Sequence, residues 1–140
     1  MPGKKFLDTN VFGYTFDQRD ARKQNLATQL IARLIQERQA AVSFQVVHEF
    51  VNLAMKSKIP GLDVSLAQRY VMETFGKMTL IPSSLAIVER GLSLQPKTRL
   101  PWFDCLMIAA ALEAGCETIY TEDLQHGQKI ERIMVINPFL

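Results

Sequence analysis

Short apolar runs alternate with longer helical repeats along this 140-residue chain. Apolar runs bounded by turn-forming residues predict strands at 4–7, 41–43, 78–81, 118–121 and 133–136. Apolar residues that recur every three or four positions predict helices at 21–38, 45–56, 65–75, 84–94 and 101–115. Strands that alternate with helices in this way are typical of an α/β fold. We therefore expect a central, mostly parallel sheet of four to five short strands.

Glycine, proline and serine mark the ends of these elements. Gly76 is predicted to end the third helix, and Ser83 and Ser84 offer caps for the fourth. We expect a loop at 96–100, and a last helix that opens at Pro101. The chain contains no internal repeat, low-complexity segment or linker, so a single domain over residues 1–140 is the simplest organisation.

Composition and charge narrow the class of protein. With 48% apolar residues the chain can bury a core, and its net charge of +2 permits a nucleic-acid partner without arguing for one. The first residues lack the apolar stretch of a signal peptide, and the longest apolar run, 105–112, is too short to span a bilayer. We expect a soluble, cytoplasmic protein without a membrane partner. Cys105 and Cys116 are expected to be buried thiols rather than a disulfide or zinc ligands.

Two acids lie in strongly apolar surroundings. Asp104 is the one charged residue in the apolar helix segment 102–112, where a carboxylate is costly unless it is paired or binds a metal. A structural interpretation is that Asp104 merely interacts with the helix dipole. Asp8 closes the first predicted strand, where it could equally be an Asx-type cap on the following turn. Each acid alone is thus ambiguous.

The positions of four acids together are harder to explain structurally. Asp8 and Asp123 follow two predicted strands, and ligands of parallel α/β sheets gather at the carboxyl ends of strands. Glu49 and Asp104 lie near the starts of helices, which begin at that same edge. The sequence therefore predicts that four carboxylates from four elements converge on one rim of the sheet.

Such a cluster indicates a metal site. Neighbouring carboxylates repel one another and raise each other's pKa, and a divalent cation offsets this repulsion. Oxygen ligands favour Mg²⁺ or Mn²⁺ over zinc or copper. A hard cation with open positions suits phosphoryl chemistry, so we expect phosphodiester hydrolysis by a metal-activated water without a covalent enzyme intermediate.

Each acid lies in a distinctive segment: FLDTNV at 6–11, VVHEF at 46–50, WFDCLMIAAA at 102–111 and YTEDLQHG at 120–127. With the tail INPF at 136–139, these segments resemble the PIN domain, and within it most resemble VapC-type toxins of bacterial toxin–antitoxin pairs. The resemblance covers essentially the whole chain. It implies a three-layer α/β/α fold.

The resemblance also implies a function. It implies an endoribonuclease dependent on Mg²⁺ or Mn²⁺ that cleaves cellular RNA, forms a homodimer and binds a small antitoxin protein across its active site. The catalytic and metal-binding acids that it implies are Asp8, Glu49, Asp104 and Asp123, with Asp8 and Asp104 as the principal ligands. Asn10 and Thr121 fall on the polar residues that orient those acids.

Two positions depart from the family pattern. Pro101 stands where many members carry a small hydroxyl residue, which puts a helix-start or substrate contact in doubt. Cys105 stands where alanine is common, a change that we expect to alter only packing.

Three further residues are weaker candidates. His126 is more typical of loop packing than of RNA contact, and Trp102 of core packing than of base stacking. Glu122 is a minor candidate for the acidic cluster, because adjacent residues leaving a strand tend to point apart.

Several other functions remain open. A phosphotransferase with an aspartate nucleophile needs a second acid two residues after the first, where this chain has Asn10. A non-catalytic scaffold that binds RNA or protein is expected to lose acids, and all four are present. A stand-alone RNA-processing nuclease has the same site as the toxin but no antitoxin partner.

Overall fold

The computed structural model describes residues 3–140, and its strands form one sheet. The strands are β1 (Lys4–Leu7), β2 (Ala40–Ser43), β3 (Thr79–Ile81), β4 (Cys116–Tyr120), β5 (Lys129–Ile130) and β6 (Ile133–Ile136). Their order is β3-β2-β1-β4-β6-β5, and all neighbours are parallel except the β5–β6 pair. The expected, mostly parallel sheet is confirmed, with the two-residue β5 as an addition at its edge.

Helices flank this sheet to give the expected α/β/α arrangement. They are α1 (Thr9–Tyr14), α2 (Ala21–Gln36), α3 (Phe44–Met55), α4 (Val64–Glu73), α5 (Leu85–Thr98) and α6 (Trp102–Glu113). Side chains of Asp20, Ser43, Asp63 and Ser84 cap the first turns of α2, α3, α4 and α5 by accepting a backbone N–H three residues on. The cap predicted at Ser84 is therefore confirmed.

Helix α1 was not predicted from the sequence. Its six residues, TNVFGY, are all weak helix formers, so local propensity does not favour a helix there. Packing decides instead, because Val11, Phe12 and Gly13 are buried and α1 packs against α2 and α3. Asp8 stands at the N-cap position of α1, and its Oδ1 accepts the N–H of the next residue, Thr9, rather than the N–H two residues on that an Asx turn uses.

Two predicted boundaries were wrong. Helix α5 continues through Pro96 to Thr98, because a proline in the last turn leaves only one solvent-side carbonyl without its N–H donor. Gly76 does not end α4, which stops at Glu73, and lies instead in a 3-10 turn at Phe75–Lys77. The buried Phe75 ring packs 4.7 Å from the ring of Phe12, centroid to centroid, which fixes the path of this turn.

The core lies on both faces of the central strands. Phe6, Leu7 and Ile119 are fully buried, and α6 buries seven of its twelve residues. Cys105 and Cys116 are free and buried, as expected. Across residues 3–140, no helix combines the length and apolar character needed to cross a membrane.

Candidate active site

Asp8 is the buried centre of the site. It follows β1, caps α1, and is only 7% exposed. Its Oδ1 accepts the Thr9 N–H at 2.6 Å, and its Oδ2 accepts the hydroxyl of the fully buried Thr121 at 2.7 Å. Burial, helped by the charges of Asp123 and Glu49, raises the pKa of Asp8 to about 6 despite these hydrogen bonds.

Asn10 joins two of the acids. Its Nδ2 lies 3.0 Å from Asp123 Oδ2, 3.2 Å from Thr121 Oγ1 and 3.4 Å from Asp8 Oδ2. Thr121 also accepts the backbone N–H of Asp123 at 3.1 Å. Asn10 and Thr121 therefore hold Asp8 and Asp123 in position relative to each other.

Glu49 approaches Asp8 from the second turn of α3. It is exposed, and its Oε1 accepts the hydroxyl of Thr9 at 2.9 Å. Thr9 is a residue whose role the sequence did not reveal. Its backbone N–H binds one acid and its hydroxyl binds another, so it links Asp8 to Glu49. The one hint in the sequence was that Thr9 lies between Asp8 and Asn10, two predicted site residues.

Asp104 lies in the first turn of α6 and is half-buried. Burial raises its pKa, and the nearby charge of Asp123 adds to the effect. Pro101 stands at the helix start and forms no side-chain cap, so the contact of a hydroxyl residue at this position is absent. Asp104 is thus electrostatically coupled to the other acids through Asp123.

None of the four acids is neutralised by a basic side chain of residues 3–140. In the described part of the chain, none of them forms an ion pair with lysine, arginine or histidine. Repelling carboxylates without cationic partners form a donor set that suits a hard divalent cation.

This donor set is open rather than a closed cage. Among residues 3–140, no three histidine, cysteine or acidic side chains are grouped closely enough to enclose an ion by themselves. Mg²⁺ differs from most protein-bound metals in that it commonly uses one or two carboxylates, several waters and a substrate phosphate. The residues therefore fit a partly hydrated Mg²⁺ or Mn²⁺ better than a fully coordinated structural metal.

The weaker candidates do not join the acidic cluster. Glu122 is bound on both oxygens, by the Tyr14 hydroxyl and by Lys23, and does not supplement the four acids. His126 accepts the Asn137 N–H through Nδ1, in keeping with its expected loop-packing role. Trp102 packs against Gly91 of α5, where an added Cβ would lie 3.2 Å from its ring. The prediction that Trp102 serves packing is supported.

Solved structures with the same fold come from several bacteria. A toxin–antitoxin complex from Klebsiella pneumoniae has a TM-score of 0.72 at 23% identity, covering 96% of this chain and 98% of the other. VapBC2 from Rickettsia felis, bound to a promoter DNA fragment, has a TM-score of 0.68 at 17% identity, covering 94% and 96%. VapC20 from Mycobacterium tuberculosis, a Sarcin-Ricin loop cleaving toxin, has a TM-score of 0.64 at 14% identity, covering 86% and 92%.

The sequence itself gives the family. No curated protein matches the chain. The PIN domain family, however, matches residues 5–130, a span that begins in β1, ends at β5 and includes all four acids. The order of the acids, their convergence at one edge of the sheet and this match agree with one another. The chain therefore belongs to the PIN domain family.

Proposed function

We propose that this protein is a metal-dependent endoribonuclease and the toxin of a toxin–antitoxin pair. The observation that supports this most strongly is the convergence of Asp8, Glu49, Asp104 and Asp123 without a single cationic partner in the described residues. A fold gains no stability from unpaired, mutually repelling carboxylates, so their placement calls for a functional explanation.

In this proposal Asp8 and Asp104 are the principal ligands of Mg²⁺ or Mn²⁺, with Glu49 and Asp123 completing the acidic rim. When bound, such a cation supplies the positive charge that activates water and offsets the charge that develops on a phosphodiester. Glu49 is exposed, and Thr9 is bonded to only one of its two oxygens. Its other oxygen is suited to orient the attacking water and accept a proton from it.

Hydrogen bonds within the chain hold the acids in position. Thr121 and the Thr9 N–H hold the two oxygens of Asp8 in fixed directions, and Asn10 holds Asp123. Outer partners of this kind commonly contribute 10–100-fold, in order of magnitude, to metal affinity or activity. We propose that this network keeps the acids in place before cation and RNA arrive.

The proposed biological context rests on the related structures. Two of them contain a toxin with its antitoxin, and a third cleaves the Sarcin-Ricin loop. We propose by analogy that this chain acts on structured RNA in the cytoplasm, forms a homodimer and is held inactive by a cognate antitoxin protein. Induced expression should arrest growth, and expression of Asp8→Asn should not.

Cleavage of a structured RNA by purified wild type and Asp8→Asn tests the enzymatic part. We expect the wild type to cleave the RNA in the presence of Mg²⁺ or Mn²⁺, and we expect a chelator to abolish this cleavage. The cleavage rate of Asp8→Asn should be lower by more than about 100-fold, because mutating even an outer partner of a metal site reduces activity by about 10–100-fold. Asp63→Asn is the matched control, since Asp63 only caps α4 and asparagine caps equally well.

The outcomes separate the remaining functions. Equal cleavage by wild type and Asp8→Asn would show contamination or a different active site. RNA binding without cleavage would favour the non-catalytic scaffold. Cleavage without growth arrest, in a gene context that lacks a small upstream neighbour, would favour a stand-alone RNA-processing nuclease.

A further inference from the structure

A fifth acid, Glu122, lies beside the acidic rim but is bonded quite differently. Its Oε1 accepts the Tyr14 hydroxyl at 2.6 Å, and its Oε2 accepts Lys23 Nζ at 2.9 Å. Lys23 Nζ also lies 3.2 Å from the Tyr14 hydroxyl and 4.8 Å from the centre of the Tyr14 ring. We call Tyr14, Lys23 and Glu122 the clamp. It joins α1, α2 and the segment after β4.

Helix α1 contacts this segment at two points, one turn apart. Asn10 and Tyr14 are four residues apart on α1 and therefore lie on the same face. Asn10 binds Thr121 and Asp123, while Tyr14 binds Glu122 between them. Three consecutive residues after β4 are thus each bonded to α1. Asn10, Tyr14 and Glu122 also line one shallow, open pocket of about 160 Å³.

The chain's last residues close over the clamp. The Phe139 ring is 5% exposed and meets the Tyr14 ring edge to face, with 4.9 Å between centroids. Lys23 Nζ lies 5.6 Å from the Phe139 ring centre, and Arg22 donates to the Phe139 carbonyl at 2.7 Å. These contacts hold Lys23 against Tyr14 and shield the ion pair on one side, so the pair is more ordered than an ordinary surface ion pair.

We propose that the clamp is a positioning device for Asp123, which sets that carboxylate toward Asn10 and thereby completes the cation site. The proposal rests on the function proposed above. Asp123 is exposed, and its carboxylate has one hydrogen-bond partner in the described residues, Asn10. Glu122 and Asp123 are neighbours in the bend that follows β4, so anchoring the Glu122 side chain restricts the backbone that carries Asp123.

The charge of Lys23 has a second consequence. An unpaired Glu122 would add a fifth negative charge to four acids that already repel one another. The ammonium of Lys23 offsets this charge locally, and its hydrogen bonds to Glu122 and Tyr14 raise the pKa of Lys23 to about 12. Lys23 therefore stays charged at every pH at which the acids are ionised. Both oxygens of Glu122 are bonded to Tyr14 and Lys23, so we expect Glu122 not to be a ligand of the cation.

Mn²⁺ binding to the full chain tests this positioning role without relying on activity. We would titrate Mn²⁺ by calorimetry into wild type, Tyr14→Phe and Glu122→Gln, and into each variant combined with Asp123→Asn. We expect each single change to weaken Mn²⁺ binding by about tenfold, the lower end of the range for outer partners of a metal site. In the Asp123→Asn background, the same changes should have no further effect.

Glu113→Gln is the matched control. Glu113 pairs with Arg90 at 2.9 Å, the same length as the Glu122–Lys23 pair, but joins α5 to α6 away from the acids. This variant should bind Mn²⁺ like the wild type. Thermal unfolding of every variant without metal separates weakened binding from a general loss of fold.

Each result then has one meaning. A tenfold loss that disappears without the Asp123 carboxylate supports the clamp. Equal losses with and without that carboxylate, or unchanged binding in both single variants, would overturn the clamp while leaving the nuclease proposal intact. A wild type that binds no Mn²⁺ would overturn both proposals. If Asp8→Asn, titrated in parallel, loses binding while both clamp variants bind like the wild type, the cation site is supported and the clamp is overturned.

Discussion

The acids at the two ends of the central strands β1 and β4 differ in whether they form ion pairs. Near the amino ends, Lys5 of β1 pairs with Glu117 of β4 at 3.3 Å, and both side chains are partly exposed. At the carboxyl ends of the same two strands, Asp8 and Asp123 share an asparagine and a threonine but form no ion pair within residues 3–140. Both ends belong to the same two strands, so the difference in ion pairing comes from the residues that surround each end.

This contrast shows that the unpaired acids do not result from a shortage of bases. The chain carries 16 lysine and arginine residues against 14 acids, and even Glu122, next to Asp123, has a lysine partner. Lys23 pairs with Glu122 beside the rim, whereas no lysine or arginine of residues 3–140 pairs with the four acids of the rim itself. A carboxylate kept buried and unpaired costs stability, so the rim is expected to gain that stability back when a cation binds.

The largest expected effect is a dependence of stability on pH at Asp8. Its pKa is about 6 in the folded chain against an ordinary 3.8, so the folded state takes up a proton that the unfolded chain releases. The stabilising contribution is therefore full below about pH 4 and is lost as pH rises through about 6. Between about pH 4 and pH 7, we expect the unfolding free energy of metal-free wild type to fall by about 3 kcal/mol relative to that of Asp8→Asn.

Denaturant unfolding of both proteins in chelator, across this pH range, measures that difference. Excess Mg²⁺ should remove most of it, because a bound cation favours ionised Asp8. A difference that does not change with pH would show that Asp8 titrates normally and that burial has been offset by another group.

A smaller effect is expected from Thr121→Val, which keeps the shape of the side chain but removes the donor to Asp8 Oδ2. Loss of a hydrogen bond to a buried carboxylate should cost about 1–3 kcal/mol at neutral pH. The cost should shrink in acid, where Asp8 is protonated. Thr118→Val is the matched control, since Thr118 is a buried threonine of β4 that forms no side-chain hydrogen bond to the acids in the described residues. Similar losses in both variants would contradict a specific role for Thr121.

The smallest effect is expected at the other end of the strands. Glu117→Gln removes the ion pair with Lys5, whose partners are 50% and 23% exposed. Exposed pairs contribute about 0–1 kcal/mol, so we expect a change in unfolding free energy below about 0.5 kcal/mol and no change in Mn²⁺ binding. A large effect here would remove the contrast between the two ends.

The sequence by itself determined the fold class and the acids. The apolar runs located five strands, and five of the six helices were predicted near their observed positions. Both signals are periodic and local, because a strand buries alternate residues or a short run and a helix buries one stripe. Asp8, Glu49, Asp104 and Asp123 could be placed at one edge because parallel strands bring their carboxyl ends together.

Only the tertiary structure decided the details of the site. Helix α1 has weak local propensity and forms because its residues are buried, yet it carries Thr9, Asn10 and Tyr14. The clamp joins Tyr14, Lys23 and Glu122, of which the last is 99 residues from Lys23 in sequence. No local pattern encodes such a contact. Burial and long-range pairing are properties of the packed chain, and they decide which acids form ion pairs and which do not.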